Sequence, residues 1–297
     1  MAKRGDPIDG VMLFDKPKGL SSNAALQIVR RIVGAQKAGH TGTLDPMATG
    51  LLPLCFGNAT KFSADLLHAD KAYEARVQLG ITTSTGDAEG EVLEKRPVDV
   101  TWATLERTAQ SFLGAIQQIP PMYSALKRDG EALYEKARRG EVVDREPRQV
   151  FIHELRLSDF DGTSFTMYTK VSKGTYIRVL AEDIGQALGC GAHLTALRRV
   201  AVGDLTVQES VTLDELEALQ TPIEARKRLQ SPDALLRTLP AVELDEQQAH
   251  RLMMGQRLAL GLTERGRVRV YGPNKSLLGT CQVNDHGVLH PERLIAH

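Results

Sequence analysis

Apolar and polar positions alternate in blocks that predict short elements. Gly10-Val11-Met12-Leu13-Phe14 is a near-continuous apolar run, the pattern of a buried strand, and Asp15-Lys16-Pro17-Lys18-Gly19 ends it with turn chemistry. Ser21-Ser22 then cap a helix whose Ala25, Leu26, Val29, Ile32 and Val33 recur at helical spacing until Gly34 stops it. Residues 39–60 are rich in Gly, Thr and Pro and predict a loop. Tyr73, Ala75, Val77 and Leu79 alternate as a half-buried strand, and residues 82–90 read as loop. Thr101 caps a helix through Phe112, ended by Gly114. Residues 117–149 are polar and turn-rich, an excursion from the core. Phe165, Met167, Thr169 and Val171 alternate as another strand. Ile177, Leu180, Ala181, Ile184 and Leu188 share a helical face closed by Gly189, and Leu194 to Val202 read as strand. Thr212 and Glu215 form a capping box that opens a short helix. Residues 222–237 are charged, contain two prolines and predict a domain boundary. Beyond them, short β runs (Val268–Val270, Leu277–Leu278, Val288–Leu289) among glycines suggest a small β-rich module. Without a βαβ period the pattern favours α+β over a doubly wound fold.

The 297 residues are 42% hydrophobic and 25% charged, which excludes a disordered, collagenous or coiled-coil chain. No apolar run approaches the roughly 18–20 residues of a membrane-spanning helix. Met1 to Asp6 is charged with no apolar run behind it, so no secretory signal is expected. Cys55, Cys190 and Cys281 are far apart and form no C-x-x-C pair. That argues against a disulfide framework or a thiolate zinc site and suits a reducing cytosol. Net charge is zero but unevenly spread. Residues 1–80 carry 10 basic and 7 acidic side chains, and residues 170–200 carry 5 and 2. If folding joins these two segments, they make a positive cleft for a phosphate-bearing partner.

Both basic segments hold unusual motifs. In Gly39-His40-Thr41-Gly42-Thr43-Leu44-Asp45-Pro46-Met47-Ala48-Thr49-Gly50, three glycines permit close backbone approach, and Pro46 stiffens the chain after Asp45. A rigid support suits a reacting carboxylate. The same spacing also suits a tight turn in which Asp45 only caps backbone N–H groups. No Gly-Lys-Ser/Thr follows for a phosphate loop, no G-x-G-x-x-G or G-x-S-x-G occurs in the required setting, and His40 and Asp45 alone are too few for a metal. The second motif, Ser172-Lys173-Gly174-Thr175-Tyr176-Ile177-Arg178, joins a strand to a helix. Arg178 falls in the first helical turn, against the helix dipole, so it needs an anionic partner, in a site or in a surface ion pair. Tyr73 is either a core aromatic or a ring offered to a base.

GHTGTLDPMATGLLPLCFGNATKF (39–62), KAYEARVQLG (71–80), MYSALK (122–127), SKGTYIRVLAEDIG (172–185) and LGCGAHLTALRRVAVG (188–203) together resemble the TruB family of bacterial tRNA pseudouridine-55 synthases. The resemblance runs in order from residue 10 to residue 217. The C-terminal residues resemble the small PUA-like RNA-binding module of these enzymes. It implies an α+β fold: a catalytic domain over 1–230 with a mixed, mainly antiparallel sheet, and a PUA-like domain over 238–297. It further implies isomerisation of one uridine in the TΨC arm of tRNA, with no cofactor and no metal. Asp45 then corresponds to the catalytic carboxylate and Arg178 to its arginine. His40 would fill the opened T-loop, Tyr73 would stack on the target uracil, and Tyr176 and Leu197 would line the uracil pocket. Lys61 would meet a phosphate, and 117–149 would close over the RNA arm. Extracting the base costs a few kcal/mol, and an aromatic partner returns about 1–3 kcal/mol. Thr43 stands where other members carry a small residue such as Ala, with no chemical consequence. The resemblance implies a cytoplasmic monomer without an obligate protein partner. Two other classes fit the same surfaces: an RNA-binding or RNA-chaperone protein without chemistry, and the catalytic subunit of an RNA-guided pseudouridylation complex.

Overall fold

The computed structural model describes residues 5–295; residues 1–4, part of the stretch read for a secretory signal, lie outside them. The first apolar run forms β1 (Gly10–Lys16). Ser21 caps α1 (Ser22–Val33): its hydroxyl accepts the Ala24 N–H, and Gly34, in the left-handed conformation at φ 71°, closes the helix. Ala25, Leu26, Val29 and Val33 are its buried face, clustered with Met12 and Phe14.

The stretch 39–60, expected as loop, carries strand at both sides of a shorter loop. β2 (Ala38–His40) and β3 (Thr49–Phe56) pair antiparallel, and the loop shrinks to 41–48. Pro53 hides β3 in the sequence, because proline breaks the ladder of a central strand. Here its carbonyl accepts the Thr41 N–H at 3.1 Å on the β2 side. The missing N–H falls on that same side, so the ladder to β1 stays intact, with Leu13 opposite Pro53.

After α2 (Ser63–Leu67) comes β4 (Lys71–Leu79). β5 (Ile81–Thr83) and β6 (Val92–Lys95) form a hairpin around residues 84–91, so the predicted loop starts later than read. Thr101 caps α3 (Trp102–Gln110), which stops short of Phe112. β7 (Gly114–Gln118) leaves the sheet edge into the excursion, which carries β8 (Lys127–Arg128), β9 (Glu131–Ala132) and α4 (Leu133–Arg138). The chain returns in β10 (Arg148–Ser158), with Arg148 opposite Gln118. β11 (Ser164–Val171), α5 (Ile177–Ala187) and β12 (Ala192–Val202) follow. β13 (Leu205–Thr206), β14 (Val211–Thr212), α6 (Leu213–Glu217), opened by the expected Thr212–Glu215 capping box, and α7 (Pro222–Arg226) complete this part.

The main sheet runs β14-β1-β3-β12-β4-β11-β10-β7, with β2 and β13 paired at its sides. Only β1 with β14 and β3 with β12 run parallel. The fold is therefore α+β with a mixed, mainly antiparallel sheet. A core over one face gathers α1, α3 and α5 against β1, β3, β4, β11 and β12. The β3–β12 and β12–β4 pairings bring the two basic segments into adjacent strands.

A second cluster joins Val11, Leu13, Leu51 and Cys55 to Phe62 and Leu66, to Ala234, Leu235 and Leu236, and to Leu277 and Ile295. Residues 222–237 thus contain α7 and a buried 3₁₀ turn, Pro232–Leu236. β15 (Ala241–Glu243), α8 (Glu246–Met253), β16 (Leu258–Ala259), β17 (Gly266–Tyr271), β18 (Leu277–Val283) and β19 (Val288–Leu294) form a five-stranded sheet with its own core. No helix among the described residues is long and apolar enough to cross a membrane.

Candidate active site

Asp45 sits in the 41–48 loop between two buried anchors, Leu44 and Met47. Ser22, in the first turn of α1, pins the first anchor: its hydroxyl accepts the Leu44 N–H at 2.8 Å and donates to the Leu44 carbonyl at 3.0 Å. The Pro46 carbonyl accepts the Gly19 N–H at 2.7 Å and lies 3.5 Å from the buried Lys16 ammonium. Lys16 also donates to Leu20 and Pro17. The Asp45 backbone is therefore braced from β1, from α1 and from the turn between them, which is the rigid support the motif predicts.

Arg178 meets that carboxylate from α5. The helix has no side-chain cap; instead Gln118, buried at the end of β7, accepts the Tyr176 N–H at 3.0 Å and donates to the Tyr176 carbonyl at 3.3 Å. Arg178 Nε lies 3.1 Å from Asp45 Oδ2 and 3.6 Å from Asp87 Oδ2. Its Nη1 donates to the Thr85 carbonyl and its Nη2 to the Tyr123 carbonyl, both at 2.7 Å. The Arg178 side chain is 4% exposed and that of Asp87 5%, whereas Asp45 keeps 37% open. A buried cation thus spans two carboxylates, and only one of them faces outward.

Burial raises the Asp45 carboxyl above its ordinary value, Asp87 adds to the rise, and Arg178 and Lys16 oppose it. The open edge of the side chain makes this rise smaller than full burial would give. Lys16 is pulled down to about 8 by burial, against the attraction of Asp45 and Glu89. Tyr176 is partly buried beside the same charges, and burial pushes its phenol up.

His40 and Tyr73 meet a different cation. Arg199 on β12 lies opposite Tyr73 on β4 and is 1% exposed. Its Nε donates to the Leu51 carbonyl at 2.8 Å and its Nη2 to the Gly42 carbonyl at 3.3 Å. Burial lowers the Arg199 guanidinium, and the Tyr73 phenol opposes this. His40, at the end of β2, is half-buried; burial and then Arg199 lower its imidazole, and its Nδ1 is buried without a hydrogen-bond partner. Gly50, at φ 102°, lets β3 press against the Arg199 backbone, where a Cβ would come within 2.3 Å of the carbonyl oxygen.

The structure therefore gathers Asp45, Arg178 and Tyr176 in one cluster and sets His40 and Tyr73 around Arg199 in a second. Lys16 senses both Asp45 and Arg199. Leu197 lies opposite Ala75 and is nearly buried. A cavity of about 290 Å³ is lined by Leu197, Met47, Thr49 and Lys18 together with Glu74, Arg76 and Arg198. Lys61 donates to the Leu294 carbonyl at 2.9 Å, tying its turn to the C-terminal sheet.

Asp87 and Arg199 were not singled out from the sequence. The signal for Asp87 is faint: in Thr85-Gly86-Asp87-Ala88-Glu89 it accepts from the Thr85 hydroxyl and the Glu89 N–H, as any turn aspartate does. Arg199 shows only as one of two adjacent arginines inside a largely apolar strand.

Three family descriptions cover this chain. "TruB family pseudouridylate synthase (N terminal domain)" matches residues 30–177, "tRNA pseudouridylate synthase B C-terminal domain" matches 178–243, and "Pseudouridine synthase II TruB, C-terminal" matches 240–295. A protein named tRNA pseudouridine synthase B from Burkholderia mallei is 55% identical over 302 residues, covering 99% of each chain. The chain belongs to the TruB family. One from Cupriavidus metallidurans is 54% identical, covering 97% of this chain and 94% of its own. Membership makes this chain an isomerase of the pseudouridine-synthase class. Among solved structures, a Cbf5–Nop10–Gar1 complex contains a chain similar to this TruB member with a TM-score of 0.74 at 25% identity, covering 96% of this chain and 84% of that one. An H/ACA particle bound to a substrate RNA containing 2′-deoxyuridine shares the fold, with a TM-score of 0.73 at 22% identity.

Proposed function

We propose that this chain converts uridine 55 in the TΨC arm of tRNA to pseudouridine, acting in the cytoplasm as a monomer and without a cofactor. The N-glycosidic bond breaks, the uracil turns, and a carbon–carbon glycosidic bond forms. Uracil C5 gives up a hydrogen and N1 gains one, so the composition is unchanged. Asp45 is the catalytic carboxylate and Arg178 its counter-ion. The observation that carries this reading is the 3.1 Å approach of Arg178 Nε to Asp45 Oδ2, with the acid open on one side and the arginine closed off. An anion at that place can act on the ribose or the base, and the guanidinium favours its ionised form against burial.

The target base must leave the T-loop, at a cost of a few kcal/mol. Tyr73 is proposed to stack on the extracted uracil and His40 to occupy the space it leaves. Tyr176 and Leu197 wall the pocket, and the 117–149 segment closes over the arm. The Tyr123 carbonyl on Arg178 links that segment to the catalytic pair. An RNA-guided role draws on the likeness to Cbf5. Identity above 50% over nearly the whole length to proteins named tRNA pseudouridine synthase B favours tRNA.

The test is to map pseudouridine in unmodified tRNA after incubation with the pure protein and nothing else. A single modified position in the T-loop supports the reading. Unmodified tRNA, or conversion only with added guide RNA and proteins, contradicts it.

A further inference from the structure

Outside the two clusters, a row of exposed side chains leads away from the 41–48 loop. It starts at Leu67, which is 45% exposed and whose Cδ2 lies 3.9 Å from where a Cβ on Gly42 would stand. His68 comes next, exposed, with its Nδ1 2.7 Å from the Lys173 ammonium. Lys173 is the donor, so a neutral His68 carries its proton on Nε2 and keeps a free donor. The row ends at Phe151, 44% exposed on β10, whose ring centroid lies 4.8 Å from that of His153.

Two features show that this end is built rather than incidental. The β10–β11 register slips between Ile152 and Glu154, so His153 occupies a bulge. Bulges re-aim a side chain, and this one sets the imidazole beside the Phe151 ring with its Nε2 3.3 Å from Asp70. Ser172 holds Phe151 in place: its hydroxyl accepts the Phe151 N–H at 2.9 Å, and its own N–H donates to the Phe151 carbonyl at 2.8 Å. Ser172 opens the loop that continues through Lys173 and Gly174 to Tyr176 and Arg178. Asp70 lies three residues before Tyr73. The patch is therefore fastened to the two segments that carry the candidate base-contacting side chains.

An exposed aromatic ring buttressed by an imidazole, next to an ammonium and a free N–H donor, has the chemistry of a nucleotide. The ring takes the face of a base, and Lys173 and His68 take a phosphate. We infer that Phe151, His153, Lys173 and His68 form a second RNA contact, which stacks one unpaired nucleotide outside the catalytic pocket. This rests on the RNA-modifying reading above. The patch borders the loops that carry Tyr73 and Arg178, so the nucleotide belongs to the same RNA molecule as the target base.

The test uses full-length protein and unmodified tRNA. Phe151→Ala is expected to weaken tRNA binding about five- to tenfold, as loss of one base–aromatic stack does, with an unchanged melting temperature because the ring is exposed. Phe151→Trp is expected to keep wild-type binding. In a Trp102→Phe background, which removes the single native tryptophan, the indole introduced at 151 should be quenched by tRNA. Unchanged affinity of Phe151→Ala, or an indole blind to saturating tRNA, overturns the inference if the wild-type protein makes pseudouridine in the same tRNA. A wild-type protein that neither binds the tRNA nor modifies it overturns the proposed function, and this inference with it.

Discussion

Arg178 reaches Asp45 from a helix start that lies far along the chain, and its Nε stands 3.1 Å from the carboxylate while its own side chain is 4% exposed. The same nitrogen is 3.6 Å from Asp87. One guanidinium therefore serves two acids, the inner one closed off with it and the outer one open on one side.

Asp87→Ala is expected to cost the fold about 2–4 kcal/mol, because it removes the buried acceptor of the Thr85 hydroxyl and of the Glu89 N–H, at about 1–3 kcal/mol for each group left unsatisfied. It should also lower turnover at least tenfold, by letting Arg178 drift from Asp45. Thermal melting and a single-turnover assay check both. A variant that melts and turns over like wild type would remove Asp87 from the account.

Local rules made much of the fold legible. Ser21, the apolar face of α1 and Gly34 specify a helix without tertiary help, and the structure returns that helix. Arg178 in the first turn against the dipole called for an anion, and the structure supplies two. β3 was hidden because Pro53 breaks the strand pattern, and only the arrangement of its neighbours makes the missing N–H harmless. Asp87 and Arg199 were silent for a related reason: their partners come from the 84–91 loop and the β12–β4 register, which no spacing along the chain reveals.

The Asp45 carboxyl lies above 3.8 because burial outweighs Arg178. With the folded value above the unfolded one, ionised Asp45 destabilises the fold at neutral pH. That cost vanishes once pH falls below the unfolded value, where both states hold the proton. Asp45→Asn should therefore melt higher than wild type at pH 7 and lose its advantage near pH 4. The acid limb of kcat/KM should lie above the ordinary aspartate range. Equal melting temperatures across pH would contradict the buried-carboxylate argument.

Arg199→Met should leave the Leu51 and Gly42 carbonyls without their donor, at about 1–3 kcal/mol for each buried unsatisfied group. Because the same side chain borders Tyr73 and His40, kcat should fall more than KM rises. Arg199→Lys should recover part of the stability but not the forked geometry. Steady-state kinetics beside a melt separates the two effects, and a loss confined to stability would make Arg199 purely structural.

Gly50→Ala is expected to destabilise by about 3 kcal/mol or more, since it adds backbone strain to a collision with the Arg199 carbonyl. Gly174→Ala is the control. It also has positive φ, but its Cβ meets nothing within 4 Å, so only the conformational cost of about 1–2 kcal/mol should remain. Equal losses at the two sites would show that close approach at Gly50 is unimportant.

The chemistry proposed for Asp45 is tested by tritium release from tRNA labelled at uridine C5, measured for wild type and Asp45→Asn alongside tRNA binding. Wild type should release tritium, and the variant should release none while binding tRNA with near wild-type affinity. Release by Asp45→Asn at the wild-type rate would contradict the assignment of this carboxylate to the chemistry.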